Sequence, residues 1–318
     1  MLPKISILIP AHNEEKMIGN TLENLLANKY PNKEIIVGVD NGSDNTLSIA
    51  KSFEKRNSKI IRVIHSKKRL GVTGIFNLML SKASGSIIMK FDADMRIGND
   101  RALFNLVKYF EKKEVGGIFY CGDRGFSDYS EIFKYVKDEE LRKRIKKERE
   151  KSLTSRGENL LSRLVTEYKK SKLPIREIPD HPIDCHCFRR EIIPKLDPKI
   201  IHDDAIFAYK ILERGFDIEW APDVVVIHLG VPTTSSHLFR QKVRGIVGWQ
   251  DISDKYKLNL KKYYFQLFIL FLKNIRRYKI KDIFAFFVWL NIFILSLLSS
   301  ALVRKREPTS VWKPAQRT

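Results

Sequence analysis

Two carboxylates one residue apart, Asp92 and Asp94 in the run Lys90-Phe-Asp-Ala-Asp94, follow directly on a short apolar segment. Oxygen ligands of this kind suit a hard divalent cation, Mg2+ or Mn2+, which in turn binds the oxygens of a diphosphate and offsets its charge as it leaves. A lone D-x-D arises often by chance on turns, and its place after an apolar strand is what raises it. A second acidic pair, Asp203-Asp204, opens a helical-period segment, where the plainer reading is a helix start favoured by the dipole. His228 closes the apolar run Val224 to His228 and is available to complete a metal shell, although a hydrogen-bonded structural histidine is the commoner case. Two further polar turns carry chemistry-bearing side chains. Pro10-Ala-His-Asn-Glu-Glu15 follows the first apolar run, and Val39 to Thr46 follows the second. In the latter, Asp40 and Asn41 are suited to a base or ribose, while Ser43 or Asp44 caps the next helix. Neither G-x-G-x-x-G nor G-x-x-x-x-G-K-[ST] occurs at the first turn, so a dinucleotide fold and a P-loop both lose support.

These turns need elements to hold them. Apolar, β-branched runs recur at Ile5 to Pro10, Glu34 to Asp40, Ile60 to His65 and Ser86 to Asp92, each long enough for one buried strand. Helix-period segments lie between them, with Ile18, Leu22, Leu25 and Leu26 on one face of the first and Ile75, Leu78 and Met79 on a later one. Alternating strand and helix predicts βαβ units and a mainly parallel sheet covered on both faces. The ligand crevice of such a sheet lies at the carboxyl ends of its strands, where the polar turns fall.

With 318 residues, 43% hydrophobic and 30% charged, the chain has ample core for a folded protein, which excludes disordered, collagen-like and mini-protein classes. Its 58 Lys+Arg against 37 Asp+Glu leave a net charge of +21, a field that concentrates nucleic acid, anionic lipid or phosphorylated substrates. Three cysteines, two of them Cys185 and Cys187, read as reduced thiols. Met1 to Pro10 lacks the pattern of a signal peptide and reads as a first strand, so the body of the protein is expected to face the cytosol. Residues 134–156 are dense in Lys, Arg and Glu and predict an exposed helix.

The C-terminal part changes character. Phe284 to Val303 carries no charge and is about 20 residues long, the length that spans a bilayer. Tyr263 to Leu272 is half as long, flanked by Lys261, Lys262, Lys273, Arg276 and Arg277, and suits an interfacial or re-entrant helix. The alternative for the long segment is a core helix of a soluble domain, which would normally carry a polar face.

Taken together, P-x-x-N-E after the first strand, V-D-N-G-S-x-N after the second and D-x-D after the fourth resemble the family-two glycosyltransferases of A-type nucleotide-diphospho-sugar fold. Over roughly residues 4–250 the resemblance extends to Cys187-Phe-Arg-Arg-Glu191, similar to an acceptor-side F-R-R-E. It also takes in Asp203 to Asp223, and Gln241-Lys-Val-Arg244-Gly245, similar to Q-x-x-R-W. Within that family the chain resembles dolichol- and polyprenyl-phosphate sugar synthases and membrane-bound polysaccharide glycosyltransferases. The resemblance implies that Pro10, Asn13 and Glu14 border the nucleotide, that Asp40 receives the base and that Asn77 lies on the nucleotide side. It also implies that Asp92 and Asp94 hold diphosphate and metal, that Asp204 is the catalytic base, and that Gln241 and Arg244 lie near the diphosphate or acceptor. Such a transfer needs one carboxylate to take the acceptor proton and a cation to stabilise the departing nucleoside diphosphate. Gly245 stands where relatives have Trp, which favours a single transfer over chain extension, and Asn41 stands in place of a second Asp.

The expected organisation is a Rossmann-like α/β glycosyltransferase (GT-A) domain at 1–250, an amphipathic or interfacial segment at 251–283, a membrane-embedded helix at 284–303 and a basic tail at 304–318. The expected activity is inverting, metal-dependent hexosyl transfer from a nucleotide-diphospho-sugar to a lipid-linked acceptor at the cytosolic face of the cell membrane. Polysaccharide extension is the alternative acceptor class and a basic membrane-binding protein the non-enzyme alternative. No nucleic-acid motif accompanies the charge.

Overall fold

The computed structural model describes residues 2–122, 139–193, 195–200, 203–229 and 234–304. Residues 134–138 of the charged run, and the basic tail beyond Arg304, lie outside them. Four strands stand where the apolar runs predict: β1 (Ile5–Ala11), β2 (Lys33–Asp40), β3 (Ile61–Ser66) and β4 (Ile87–Lys90). They pair in parallel in the order β3-β2-β1-β4. The helices between them are α1 (Ile18–Ala27), α2 (Thr46–Arg56) and α3 (Gly71–Lys82).

Strand periodicity assigns the core. Ile5, Ile7 and Ile9 of β1 point to one face, where they pack with Ile18, Leu22 and Leu25 of α1. Leu8, Ile36 and Ile88 point to the other, against Phe76 and Met79 of α3. Each fully buried Leu or Ile contributes about 1.5–3 kcal/mol, so the sheet itself carries much of the stability. Leu78 departs from expectation: Ile75, Phe76 and Met79 seat α3 on the sheet, leaving Leu78 41% exposed.

Beyond β4 the sheet is mixed rather than simply parallel. β5 (Met95–Ile97) is followed by α4 (Ala102–Tyr109), β6 (Val115–Gly122), α5 (Glu139–Glu150), α6 (Leu153–Lys170), β7 (Cys187–Arg189), α7 (Asp203–Glu213) and β8 (Asp217–His228). β7 inserts antiparallel between β4 and β6, and β5 runs antiparallel along β8, giving the order β3-β2-β1-β4-β7-β6-β8-β5. These reversals come from pairings between segments about a hundred residues apart, which local periodicity does not encode. Cys185 and Cys187 are free and buried at this junction.

Three helices complete the described chain: α8 (Ser235–Tyr256), α9 (Leu260–Asn274) and α10 (Ile280–Arg304). Residue 250, where the first unit is expected to end, falls within α8. Within α10, Ile280–Ser300 is long and apolar enough to cross a bilayer. One face of α10 is packed: Ala285, Phe286 and Trp289 are buried, and Gly157 of α6 allows the contact, since a Cβ there would lie 2.6 Å from Trp289 and 2.5 Å from the Ala285 carbonyl oxygen. The opposite face exposes Phe284, Phe287, Leu295 and Leu298. α9 divides in the same way, burying Tyr263, Leu267 and Phe271 and exposing Phe265, Phe268 and Leu272.

Candidate active site

At the carboxyl ends of β1, β2 and β4 lies a crevice of about 660 Å³. One end is built by the first two βα turns. Pro10, His12, Glu14 and Asp40 line it, and Arg69 closes it from the loop before α3. The Asp40 carboxylate accepts hydrogen bonds from the Leu70 and Gly71 amides, at 2.7 and 2.9 Å, and stands 3.4 Å from the Arg69 guanidinium. Gly71 has φ +75°, a left-handed conformation that costs glycine nothing and lets the loop fold over Asp40. His12 Nδ1 lies 2.7 Å from the Asp40 carbonyl oxygen, and burial lowers its imidazole below the ordinary value.

Two residues expected at the nucleotide are placed elsewhere. Asn13 does not line the crevice: at φ +57° its side chain accepts from the Ser43 amide at 2.8 Å, tying the first two turns together. Asn77 is buried in α3, donating to the Leu196 carbonyl and accepting from the Leu196 amide, so both ends of its amide clamp another segment. The F-R-R-E segment is also structural. Arg189 donates to the carbonyl oxygens of Phe110, Lys112 and Val115, away from the crevice.

The middle of the crevice is acidic around one buried cation. Lys90, last residue of β4, lies 2.8 Å from Asp204, 3.2 Å from Asp203 and 3.7 Å from Asp92. Burial pushes the Lys90 ammonium down, but the three carboxylates outweigh it and hold it well above the ordinary value. Burial raises the Asp203 carboxyl, with Asp204 and Asp92 adding to the rise and Lys90 opposing it. His186 stands on the other side of Asp204, its Nε2 3.8 Å from Oδ2. Sequence reasoning assigned no role to Lys90 or His186. The available signal was a lysine within an otherwise apolar strand, since lysine is almost never fully buried unless paired.

The two carboxylates of the D-x-D do not share the crevice. Asp92 lines it with its side chain 40% exposed, whereas Asp94 is buried and lies behind. The cause is a tight turn: the Met95 amide bonds the Asp92 carbonyl at 3.0 Å, so the strand geometry that would point both side chains the same way ends at Lys90. His228 does reach the crevice, because Met95 of β5 pairs with His228 of β8 and the Leu229 amide bonds the Asp94 carbonyl. Among the described residues no three His, Cys, Asp or Glu side chains gather into a ready metal cage. Asp92 and His228 remain as donors, which fits a cation held by one or two side chains plus substrate phosphates.

The far end is walled by the C-terminal helices. Gln241, Lys242, Arg244, Gly245 and Trp249 present one side of α8, with Leu161 and Val165 from α6, Tyr264 and Leu267 from α9, and Trp289 and Phe293 from α10. Gly245 lines the crevice without a side chain, and Trp249, one helical turn on, supplies an aromatic ring to the same wall. Arg69 and Arg244 are close enough that Arg244 helps lower the Arg69 value, after burial and against Asp40. Two guanidinium groups facing one crevice favour an anionic ligand. Glu158 binds the wall together: its carboxylate lies 2.8 Å from the Lys242 ammonium and accepts from the Trp289 indole at 2.8 Å.

A doubly covered mixed sheet with acidic side chains at its carboxyl edge is the architecture of nucleotide-sugar transferases, and the sequence comparison agrees. Residues 6–195 match Glycosyl transferase family 2, and the chain belongs to that family. It is 25% identical over 251 residues to the poly-beta-1,6-N-acetyl-D-glucosamine synthase of Staphylococcus aureus strain COL, covering 79% of this chain and 56% of the relative. The enzyme of the same name from Staphylococcus epidermidis is 24% identical over 248 residues, 78% of this chain and 55% of its own. The chain thus spans about half the length of the curated relatives it matches. In fold it is similar to mannosyltransferase PcManGT from Pyrobaculum calidifontis, solved with GDP-Man and Mn2+, at a TM-score of 0.63 and 15% identity. That likeness covers 96% of this chain and 89% of the other. The fold is therefore GT-A-like.

Proposed function

We propose that the chain transfers a hexose, with inversion, from a nucleotide-diphospho-sugar to a lipid-linked acceptor at the cytosolic face of the cell membrane, assisted by Mg2+ or Mn2+. The observation that carries this reading is that Trp289 and Phe293, from the apolar helix α10, line the same crevice as Asp92 and Asp204. An acceptor carried by lipid would enter beside the exposed apolar faces of α9 and α10, whose neighbours Lys273, Arg276, Arg277, Lys279 and Lys281 suit anionic head groups.

In this reading Pro10, Glu14 and Asp40 border the nucleoside, with Asp40 acting through the loop it organises. Arg69, Arg244 and Gln241 face the diphosphate. Asp92 and His228 would hold the cation, which supplies charge neutralisation to the leaving diphosphate. Asp204 takes the proton from an acceptor hydroxyl as its oxygen attacks the anomeric carbon. The bond from that carbon to the phosphate oxygen breaks, and its electron pair leaves with the nucleoside diphosphate. Orientation lowers the barrier as well as proton transfer, since both reactants are held in one crevice. The related poly-N-acetylglucosamine synthases support saccharide extension as a second reading, and Trp249 beside Gly245 offers a sugar-stacking surface for it.

The test is a panel of UDP-, GDP- and dTDP-sugars scored for Mn2+-dependent thermal stabilisation, followed by transfer assays with a polyprenyl phosphate, a glycolipid and a soluble saccharide. A ligand that binds only the native state raises its melting temperature. Transfer to the soluble saccharide at a rate equal to any lipid acceptor would remove the lipid-linked reading.

A further inference from the structure

A lysine sits where the crevice chemistry is expected to be wholly acidic. The Lys90 side chain is 6% exposed at the end of β4, and its ammonium draws together carboxylates from two distant stretches of chain. Exposure separates their parts. Asp203 is 7% exposed behind the lysine, Asp204 is 27% exposed and Asp92 is 40% exposed toward the crevice. Lys90 engages Asp204 at Oδ1, 2.8 Å away, which leaves Oδ2 on the side of His186.

We propose that Lys90 is a positioning residue for Asp204. By fixing Oδ1 it holds Oδ2 toward the acceptor and keeps Asp204 and Asp92 at one spacing, so that the proton-accepting oxygen and the donor diphosphate share a frame. This rests on the sugar-transfer reading and deepens it. Three carboxylates brought this close repel one another, and without the ammonium Asp204 would turn toward solvent. A displacement of about 1 Å at a reacting centre costs up to about a hundredfold in rate. Asp203, the least exposed of the three at 7%, is the counter-charge that offsets the buried ammonium.

The experiment uses the full chain with the donor identified by the nucleotide-sugar panel and a hydroxyl-bearing acceptor. Lys90→Met alone leaves buried carboxylates uncompensated and is open to misfolding, so the decisive variant is the charge-balanced pair Lys90→Met with Asp203→Asn. It is expected to keep the wild-type melting temperature and Mn2+-dependent nucleotide binding while kcat falls about a hundredfold and donor KM moves less than about threefold. Lys90→Arg, which restores the charge with a different head group, should recover part of kcat. Adding Asp204→Asn to the charge-balanced pair should cost little more, because a base already out of place has little left to lose.

A charge-balanced pair with kcat within about threefold of wild type overturns the inference, as does Asp204→Asn with unchanged kcat. Loss of rate that follows loss of thermal stability, with no recovery by Lys90→Arg, also overturns it. A wild-type chain that transfers sugar to none of the acceptors overturns the sugar-transfer reading itself, and the inference with it.

Discussion

The indole nitrogen of Trp289, in the middle of the most apolar helix of the chain, donates to the buried carboxylate of Glu158 at 2.8 Å. Glu158 in turn meets Lys242, the neighbour of Gln241 on the crevice wall. The C-terminal helix is therefore part of the crevice wall. Trp289→Phe keeps an aromatic side chain but gives up the smaller ring of the indole and its donor to a buried carboxylate, the lost donor alone costing about 1–3 kcal/mol. For a chain of 318 residues that is a fall in melting temperature of about 1.5 °C per kcal/mol. Thermal unfolding should show that fall together with reduced transfer, whereas an unchanged rate would separate α10 from the chemistry.

Asp92 and Asp94 should behave differently despite their shared motif. Asp92→Asn is expected to abolish Mn2+-dependent nucleotide binding at an unchanged melting temperature, because its side chain faces the crevice and is 40% exposed. Asp94→Asn should lower the melting temperature as well, since Asp94 is buried. Parallel titration calorimetry and thermal melts on the two variants provide the check.

The acceptor class can be read from Asp204. With a sugar-hydroxyl acceptor a proton must leave during attack, and Asp204→Asn should cost at least about a hundredfold in kcat. A polyprenyl phosphate oxygen is already anionic near neutral pH and needs no base, so much of the rate should survive with that acceptor. Measuring both acceptors on the same variant decides which chemistry the crevice runs.

Acid sensitivity has a specific source at the start of β2. Glu34 accepts from Ser6, from the Ser84 amide and from Lys4. Burial pushes its carboxyl up, but these bonds outweigh burial and hold it down from 4.5 to about 2. A carboxyl depressed on folding contributes stability that is fully present above its unfolded value and is lost as pH falls through the folded one. Its contribution should therefore fade between pH 4.5 and about 2. Glu34→Gln should be less stable than wild type at neutral pH, with the gap closing across that window in pH-dependent denaturant melts.

Membrane attachment should depend on the outward faces alone. Phe284, Leu295 and Leu298 are 60%, 57% and 66% exposed on α10, so replacing all three by Asn removes apolar area while leaving the packed Phe286 and Trp289 in place. Flotation with vesicles of phosphatidylcholine and phosphatidylglycerol should fall for the triple variant at an unchanged melting temperature. Undiminished flotation would assign the attachment to α9.

Much of the fold is legible locally. β1, β2, β3 and β4 stand on their apolar runs, α1 turns Ile18, Leu22 and Leu25 inward as their spacing requires, and the polar turns sit at the carboxyl edge because a parallel βαβ layout puts them there. Pro10, Glu14 and Asp40 of the first two polar turns, and the acidic residues Asp92 and Asp204, all reach the crevice that this layout predicts. These features need only the period of the side chains and the order of the elements, both of which are properties of neighbouring residues.

Tertiary structure decided what depends on distant segments meeting. The antiparallel entry of β7 brings His186 beside Asp204, and the pairing of β5 with β8 carries His228 to the D-x-D turn. The turn at Asp92 to Met95 sends Asp94 into the core, and Asn77 finds Leu196 rather than a ligand. Lys90 and Glu158 each became the hub of a buried charge network only once residues over eighty positions away folded against them. A buried charge is stable only with its partners in place, and of those partners only Asp92 lies in the stretch of sequence around Lys90, and none in that around Glu158.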